Sequence, residues 1–295
     1  ADDGAFAAAG GWVLANAAGT PRYTPRAGAG GITAAEASSL VAQGLRLAAR
    51  TRAQIRRPLG SSAQVTISVV DLSGDILALA RTPDGPLFGI DVAVQKARTA
   101  MFFSHPGAAA WLSAAPSARY LDASSAPAFA AYVQRTGEFL GDASPFMGLT
   151  AWSTRALGNI HRPLFPDGIE GTPAGPLSTE FARWSPFNVG LQLDLANNQL
   201  IKAVGGDFSI GCAGRIVGTA IGPAEDAGVP QLRNGIQIFP GGMPIYRGAA
   251  LVGAIGVSGD GVDQDDMIAF LSVANAGREL GTGLDNAPHE RRADR

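Results

Sequence analysis

The chain is poor in the residues that usually betray chemistry. It has a single cysteine, Cys212, in 295 residues. That excludes an intrachain disulfide, a CxxC redox pair, a CxxCH haem attachment and a thiolate zinc cluster. Lysine occurs only at positions 96 and 202, and histidine only at 105, 161 and 289. No GxSxG elbow, HExxH pair, P-loop or GxGxxG after a strand is present, so none of the common hydrolase, metalloprotease or nucleotide signatures applies. Charged residues make up only 16% of the chain, and the net charge is -2. This leaves no basic footprint for nucleic acid and no polybasic patch for a membrane surface. Gly, Pro, Ser or a charge interrupts every apolar run before the roughly 18 residues that a bilayer span needs.

What is present is core-forming material. At 46% hydrophobic over 295 residues, the chain is long enough for one large domain or two ordinary ones. The opening Ala1-Asp2-Asp3 suits the end left by cleavage at a small-residue site, and a trimmed chain would look the same. A periplasmic or secreted protein is the expectation.

Residues 1–31 are rich in Ala and Gly, with Pro21 and Pro25, and read as an arm or linker too poor in side-chain volume to form its own core. Thr33 and Glu36 then form a capping box, and Leu40, Val41, Leu45, Leu47 and Ala48 continue a helix to about Arg50. Arg46, Arg50, Arg52, Arg56 and Arg57 give it a basic face, read as solvated or, alternatively, as a clamp for phosphate or propionate. Residues 64–71 and 76–81 are aliphatic runs around Ser73-Gly74 and predict a hairpin. Residues 90–103 carry apolar positions 90, 93, 94, 97 and 101, an amphipathic helix that ends before Pro106.

Residues 235–266 read as a strand at 236–239, a Pro/Gly corner, a polar turn at Arg247-Gly248, a strand at 251–257, and a helix opened by Ser258-Gly259-Asp260. Between the two halves, helices are expected at 107–114 and 126–139. A hairpin is expected at 188–204, turning at Ala196-Asn197-Asn198. Phe146, Trp152, Phe165, Phe181, Trp184 and Phe187 are too apolar to stand in water together, so they should pack on the core or on a neighbouring subunit. The last residues, with His289, read as a charged, fraying tail.

Five motifs in order are similar to those of the GlcG/HbpS haem-binding family, which includes the C-terminal domain of PduO-type proteins. They are Val69-Val70-Asp71 with Gly74; Ile90-Asp91 with Ala93, Lys96 and Ala97; Gly241-Gly242 with Pro244; residues 253–259 (GAIGVSG); and Gln264-Asp265. The resemblance implies a profilin-like α/β (α+β) fold, an antiparallel sheet with packed helices. It would be split into 32–106 and 233–280 by an insertion at 107–232, between the arm 1–31 and a tail 281–295. It also implies a homo-oligomer, or a partner subunit met through the aromatic insertion. The implied ligand is haem b or another small molecule, and the lone cysteine makes any haem non-covalent. PduO-type relatives are described as ligating haem through histidines on the first helix. Residues 33–57 contain none, so iron ligands here would come from His105, His161 or Met147.

The candidate ligand-binding residues are Asp91, Lys96, Gly241, Gly242, Pro244 and Asp265. Lys96 either fills a compact point-charge role or pairs with Asp91 or another acid. The acids at 263, 265 and 266 either offset the dipole of the last helix or ligate a metal. Gly241-Gly242 either admits a ligand to the backbone or makes a tight sheet corner. His105 is placed to put an imidazolium at a helix C-terminus. No catalytic set emerges from spacing. An enzyme using Asp91, Lys96 and Asp265 as acid/base groups, and a structural or accessory subunit, are the alternatives to ligand binding. The ligand is expected where the Gly241 corner meets the Asp91/Lys96 helix and the mouth of the insertion.

Overall fold

The computed structural model describes residues 6–115, 128–166, 169–185, 189–204 and 228–293, with 198–204 as helix backbone only. The positions of Phe187 and Cys212 lie outside the described residues. Five antiparallel strands form one sheet in the order β2-β1-β4-β3-β5. They are β1 Thr66–Val70, β2 Ile76–Arg81, β3 Gly242–Arg247, β4 Ala250–Ser258 and β5 Leu284–Asn286. Helices cover both faces, the mixed architecture implied by the motifs. Among the described residues none of these helices is long and apolar enough to cross a membrane.

On one face lie α1 (Ala34–Arg50) and α7 (Val262–Leu280), packed against each other. The Thr33 side chain accepts from Glu36 N and Glu36 reaches back to Thr33 N, so the capping box forms as read. Leu40, Val41 and Leu45 meet Ile67, Val69, Ile255 and Val273 in one apolar core. On the other face α2 (Phe88–Ser104) lies directly on β4. A side chain at Gly256 would stand 1.9 Å from Ala93 O. The glycine of the GAIGVSG run is therefore what lets the helix backbone approach the strand.

The arm at the start of the chain closes the outer edge of β2. Phe6 is buried, Trp12 and Arg81 exchange backbone hydrogen bonds, and Leu79 N donates to Tyr23 O. An exposed sheet edge is thus covered by the chain itself.

Three expectations are corrected. Residues 236–239 are not a strand. The Gln237 side-chain carbonyl accepts from Ile238 N and Phe239 N, and Gln192 Nε2 donates to Ile236 O, so side chains replace the ladder. The strand is instead the Gly-Gly-Met-Pro run, β3. The hairpin expected at 188–204 does not form among the described residues 189–204, and Gly190–Val204 is helix α6. Leu191, Leu193 and Leu195 satisfy a period of two, but Leu191 and Leu195 also share one helical face, and it is these two that are fully buried. Finally, the described part of the tail, 281–293, does not fray. It supplies β5 and a short 3-10 turn at His289–Arg291, and Ala151 N donates to Arg291 O.

Between the halves of the sheet run α3 (Ala108–Ala114), α4 (Phe129–Leu140) and α5 (Thr154–Ile160). Their aromatic residues turn mostly inward. Phe146 stacks edge-on against Phe103 of α2 at 4.9 Å and tilts against Trp152 at 5.5 Å, while Phe165 meets Phe139 at 4.9 Å. Phe181 is exposed.

Candidate functional site

Helix α2 carries Lys96 on the face pressed against β4, and the residue is only 2% exposed. Nζ donates to Val257 O at 2.8 Å and to Asp265 Oδ2 at 2.9 Å. Asp265, in the first turn of α7, is equally buried and also accepts from Asp260 N. Burial disfavours both charges. It pushes the Lys96 ammonium below and the Asp265 carboxyl above its ordinary value, and each partner opposes the shift in the other. Gly241 closes over this pair with φ +119, where an added side chain would stand 2.4 Å from Val257 O and 2.9 Å from Lys96 Nζ. Only glycine fits there.

One residue further along α7, Asp266 becomes partly exposed, while Gly242 stays buried. Gly242 N donates to Thr154 Oγ1 at 2.9 Å, and Gly241 N to Asp266 Oδ1 at 3.0 Å. Arg155 of α5 donates Nε to Asp266 at 2.6 Å and Nη2 to Asp263 at 2.7 Å. The α7 acids thus bond to cations and backbone. Among the described residues no group of three or more His, Cys, Asp or Glu side chains is placed to hold a metal ion.

Asp91 stands apart from this cluster. Its carboxylate and carbonyl accept from Asn234 Nδ2 at a solvent-exposed position. The structure therefore joins Lys96, Asp265, Gly241 and Gly242, and leaves Asp91 with Asn234. Near Asp91 lies a residue that sequence reasoning missed, the wholly buried Arg98. It donates to Gly74 O at 2.8 Å and to Asn234 Oδ1 at 2.7 Å, and burial pulls it down to about 10. The signal was available, because an arginine two positions after Lys96 falls amid the apolar positions of that helix.

Beyond the Gly241-Gly242 step lies a cavity of about 610 Å³. Trp152, Ile160 and Phe165 form its α5 side, Met267 and Phe270 its α7 side, and Met243 and Pro244 its sheet side. Strand β5 pairs only with Ile245, Tyr246 and Arg247, so the start of β3 is a free edge. Pro244 sits on that edge with no N–H to leave unpaired. Ala287 and Arg292 complete the wall.

None of the three sequence-derived iron ligands lines this cavity. His105 ends α2 with its ring stacked on Trp111 at 4.6 Å, and its Nδ1 accepts from Gly107 N. Burial lowers its pKa, so the imidazolium expected at that helix end is disfavoured. His161 is buried at the end of α5, with Nδ1 2.7 Å from Leu157 O. Burial brings it down to about 4. Met147 is exposed on the surface. The soft donors that do line the cavity are the thioethers of Met243 and Met267.

A family model described as haem degrading protein HbpS-like matches residues 38–148 and 183–274. No curated protein matches the chain. Among solved structures, the Klebsiella pneumoniae protein ORFY is 16% identical, with 82% of this chain and 88% of that chain covered and a TM-score of 0.39. A PduOC–haem complex is 16% identical, with 86% and 96% covered and a TM-score of 0.37. The cavity walls at 151–165 and 286–293 fall outside the segments matched by the family model. Those segments nonetheless span more than half of the chain and carry β1 to β4, α2 and most of α7, and the chain belongs to the HbpS-like family.

Proposed function

We propose that the protein binds haem, or a flat apolar ligand of the same class, non-covalently in the cavity between α5, α7 and the start of β3. The observation that carries this reading is the cavity itself. Its volume of about 610 Å³ falls within the ~300–1,000 Å³ of small-molecule sites. Its walls are aromatic and aliphatic, with a few charged groups at the rim, as such sites require. The family description supplies haem as the first ligand to test. The cavity fits the apolar body of a tetrapyrrole, and the lining residues able to ligate its iron are Met243 and Met267 rather than a histidine. Lys96 and Asp265 act as a brace behind the cavity wall, since both are sealed from it. Acid/base work shared by Asp91 and Lys96 has no geometric support, because the two groups face different partners.

The test is a haem titration followed by the Soret band and by quenching of tryptophan fluorescence, to which Trp152 in the wall contributes. Ala156→Trp, which fills the cavity from α5, should weaken binding by about tenfold or more, the effect of removing well-packed ligand contacts. His105→Ala should leave the Soret position unchanged, and Met243→Leu or Met267→Leu should move it. No Soret shift in the parent protein, or full affinity in Ala156→Trp, would sink the reading.

A further inference from the structure

The two arginines of the cavity wall are in different electrostatic states. Arg155 is spent on Asp263 and Asp266. Arg292 is not. Its Nε donates to Ala287 O at 2.8 Å, and its guanidinium lies 5.6 Å from the centroid of the Phe270 ring. No carboxylate among the described residues makes an ion pair with it, and neither of its Nη groups donates a hydrogen bond there. The side chain is nevertheless held. Its backbone N bonds to His289 O, Arg292 bridges to Ala151 of the insertion, and Asn286 Nδ2 fixes the Phe270 carbonyl at 3.0 Å. The position is half-buried, so an anion reaching it would be partly shielded from water, where a fork of unused N–H donors recognises a carboxylate best.

The charges of the cavity are also segregated. The acids sit at the start of α7, and Phe270, which carries Arg292, is four residues beyond Asp266, or roughly 6 Å along the helix axis at 1.5 Å per residue. A ligand therefore meets an apolar body of wall with one uncompensated cation at the far end.

We infer that Arg292 is a specificity-determining residue that selects amphipathic ligands bearing a carboxylate, by a forked hydrogen bond from its two Nη groups. This rests on the ligand reading above. Arg292 lies outside the segments matched by the family model, so the family motifs do not predict this selectivity.

The experiment compares the affinities of haem and of haem dimethyl ester, whose propionates are esterified, for the parent protein, Arg292→Gln and Arg292→Lys. The parent protein should bind the diacid about tenfold more tightly than the diester, the scale of a charge-assisted, forked contact. Arg292→Gln should abolish that ratio, the variant binding the diacid no more tightly than it binds the diester. Arg292→Lys should retain part of the preference. Equal binding of diacid and diester by the parent protein, a comparison that needs no variant, overturns the assignment and leaves the ligand reading standing. So does a preference that survives in Arg292→Gln. If neither compound binds, the ligand reading falls and the assignment with it.

Discussion

Asp265 and Asp266 are neighbours in sequence and opposites in setting. Asp265 is sealed against Lys96 behind the Gly241 backbone. Asp266 faces the cavity, accepting from Arg155 and from Gly241 N. One helical step separates a dry ion pair from the rim of a binding site. Taking two charges out of water costs several kcal/mol each unless they are mutually satisfied, so the inner pair is a commitment of the fold. The outer pair is half-open, with Arg155 43% and Asp266 13% exposed, and such pairs contribute less to stability than sealed ones. Of the motif residues, Lys96, Asp265 and Gly241 are thus the brace, while Pro244 lines the cavity. The surface that meets a ligand is largely made by segments with no motif at all.

That contrast can be broken most severely at Lys96. Lys96→Met leaves the Asp265 carboxylate buried without its cation, and chemical denaturation should register a loss of about 3–5 kcal/mol. Lys96→Met with Asp265→Leu should recover part of it. A loss below about 1 kcal/mol in the single variant would mean the pair is not sealed as described, since that is the range of exposed pairs.

The second perturbation is acid. His161 titrates at about 4 when folded, against an ordinary 6.5. Above pH 6.5 it is neutral in both states and contributes no pH dependence. As pH falls towards 4 the unfolded chain takes the proton first, so stability drops, by about 3 kcal/mol in the limit. Stability measured across that window should flatten in His161→Gln. An unchanged slope would show that this imidazole is reached by water.

The smallest effect is expected on the wet side. Arg155 is 43% exposed and its partner Asp266 13%, so Arg155→Gln should cost about 1–2 kcal/mol in the same denaturation assay, less than the sealed pair because the cation reaches water. A loss rivalling that of Lys96→Met would erase the distinction between the two acids.

Much of the fold was legible because it is written in local periods. The Thr33/Glu36 capping box, the β1-β2 hairpin and α2 all follow from side-chain spacing within a few residues. Where two periods fit equally, the reading failed: the leucines of α6 alternate and also share a helical face. It failed again at 236–239, where the Gln237 side chain takes over the bonds that a ladder would have made. Lys96 could be flagged by its rarity, but its partner could not be chosen, since Asp91 is near in sequence and Asp265 lies 169 residues away. Arg292 was hidden in residues that read as a fraying tail, because three residues of β5 give too short a pattern to recognise.

By itself, then, the sequence determined the two segments of an α/β domain and its family motifs, both properties of composition and short-range order. The tertiary structure alone decided which acid Lys96 meets, that the motif cluster is sealed, and that α5, α7, the free edge of β3 and the C-terminal residues enclose one cavity. The physical reason is that burial and ion pairing depend on which distant segments share a space, and no spacing along the chain records that.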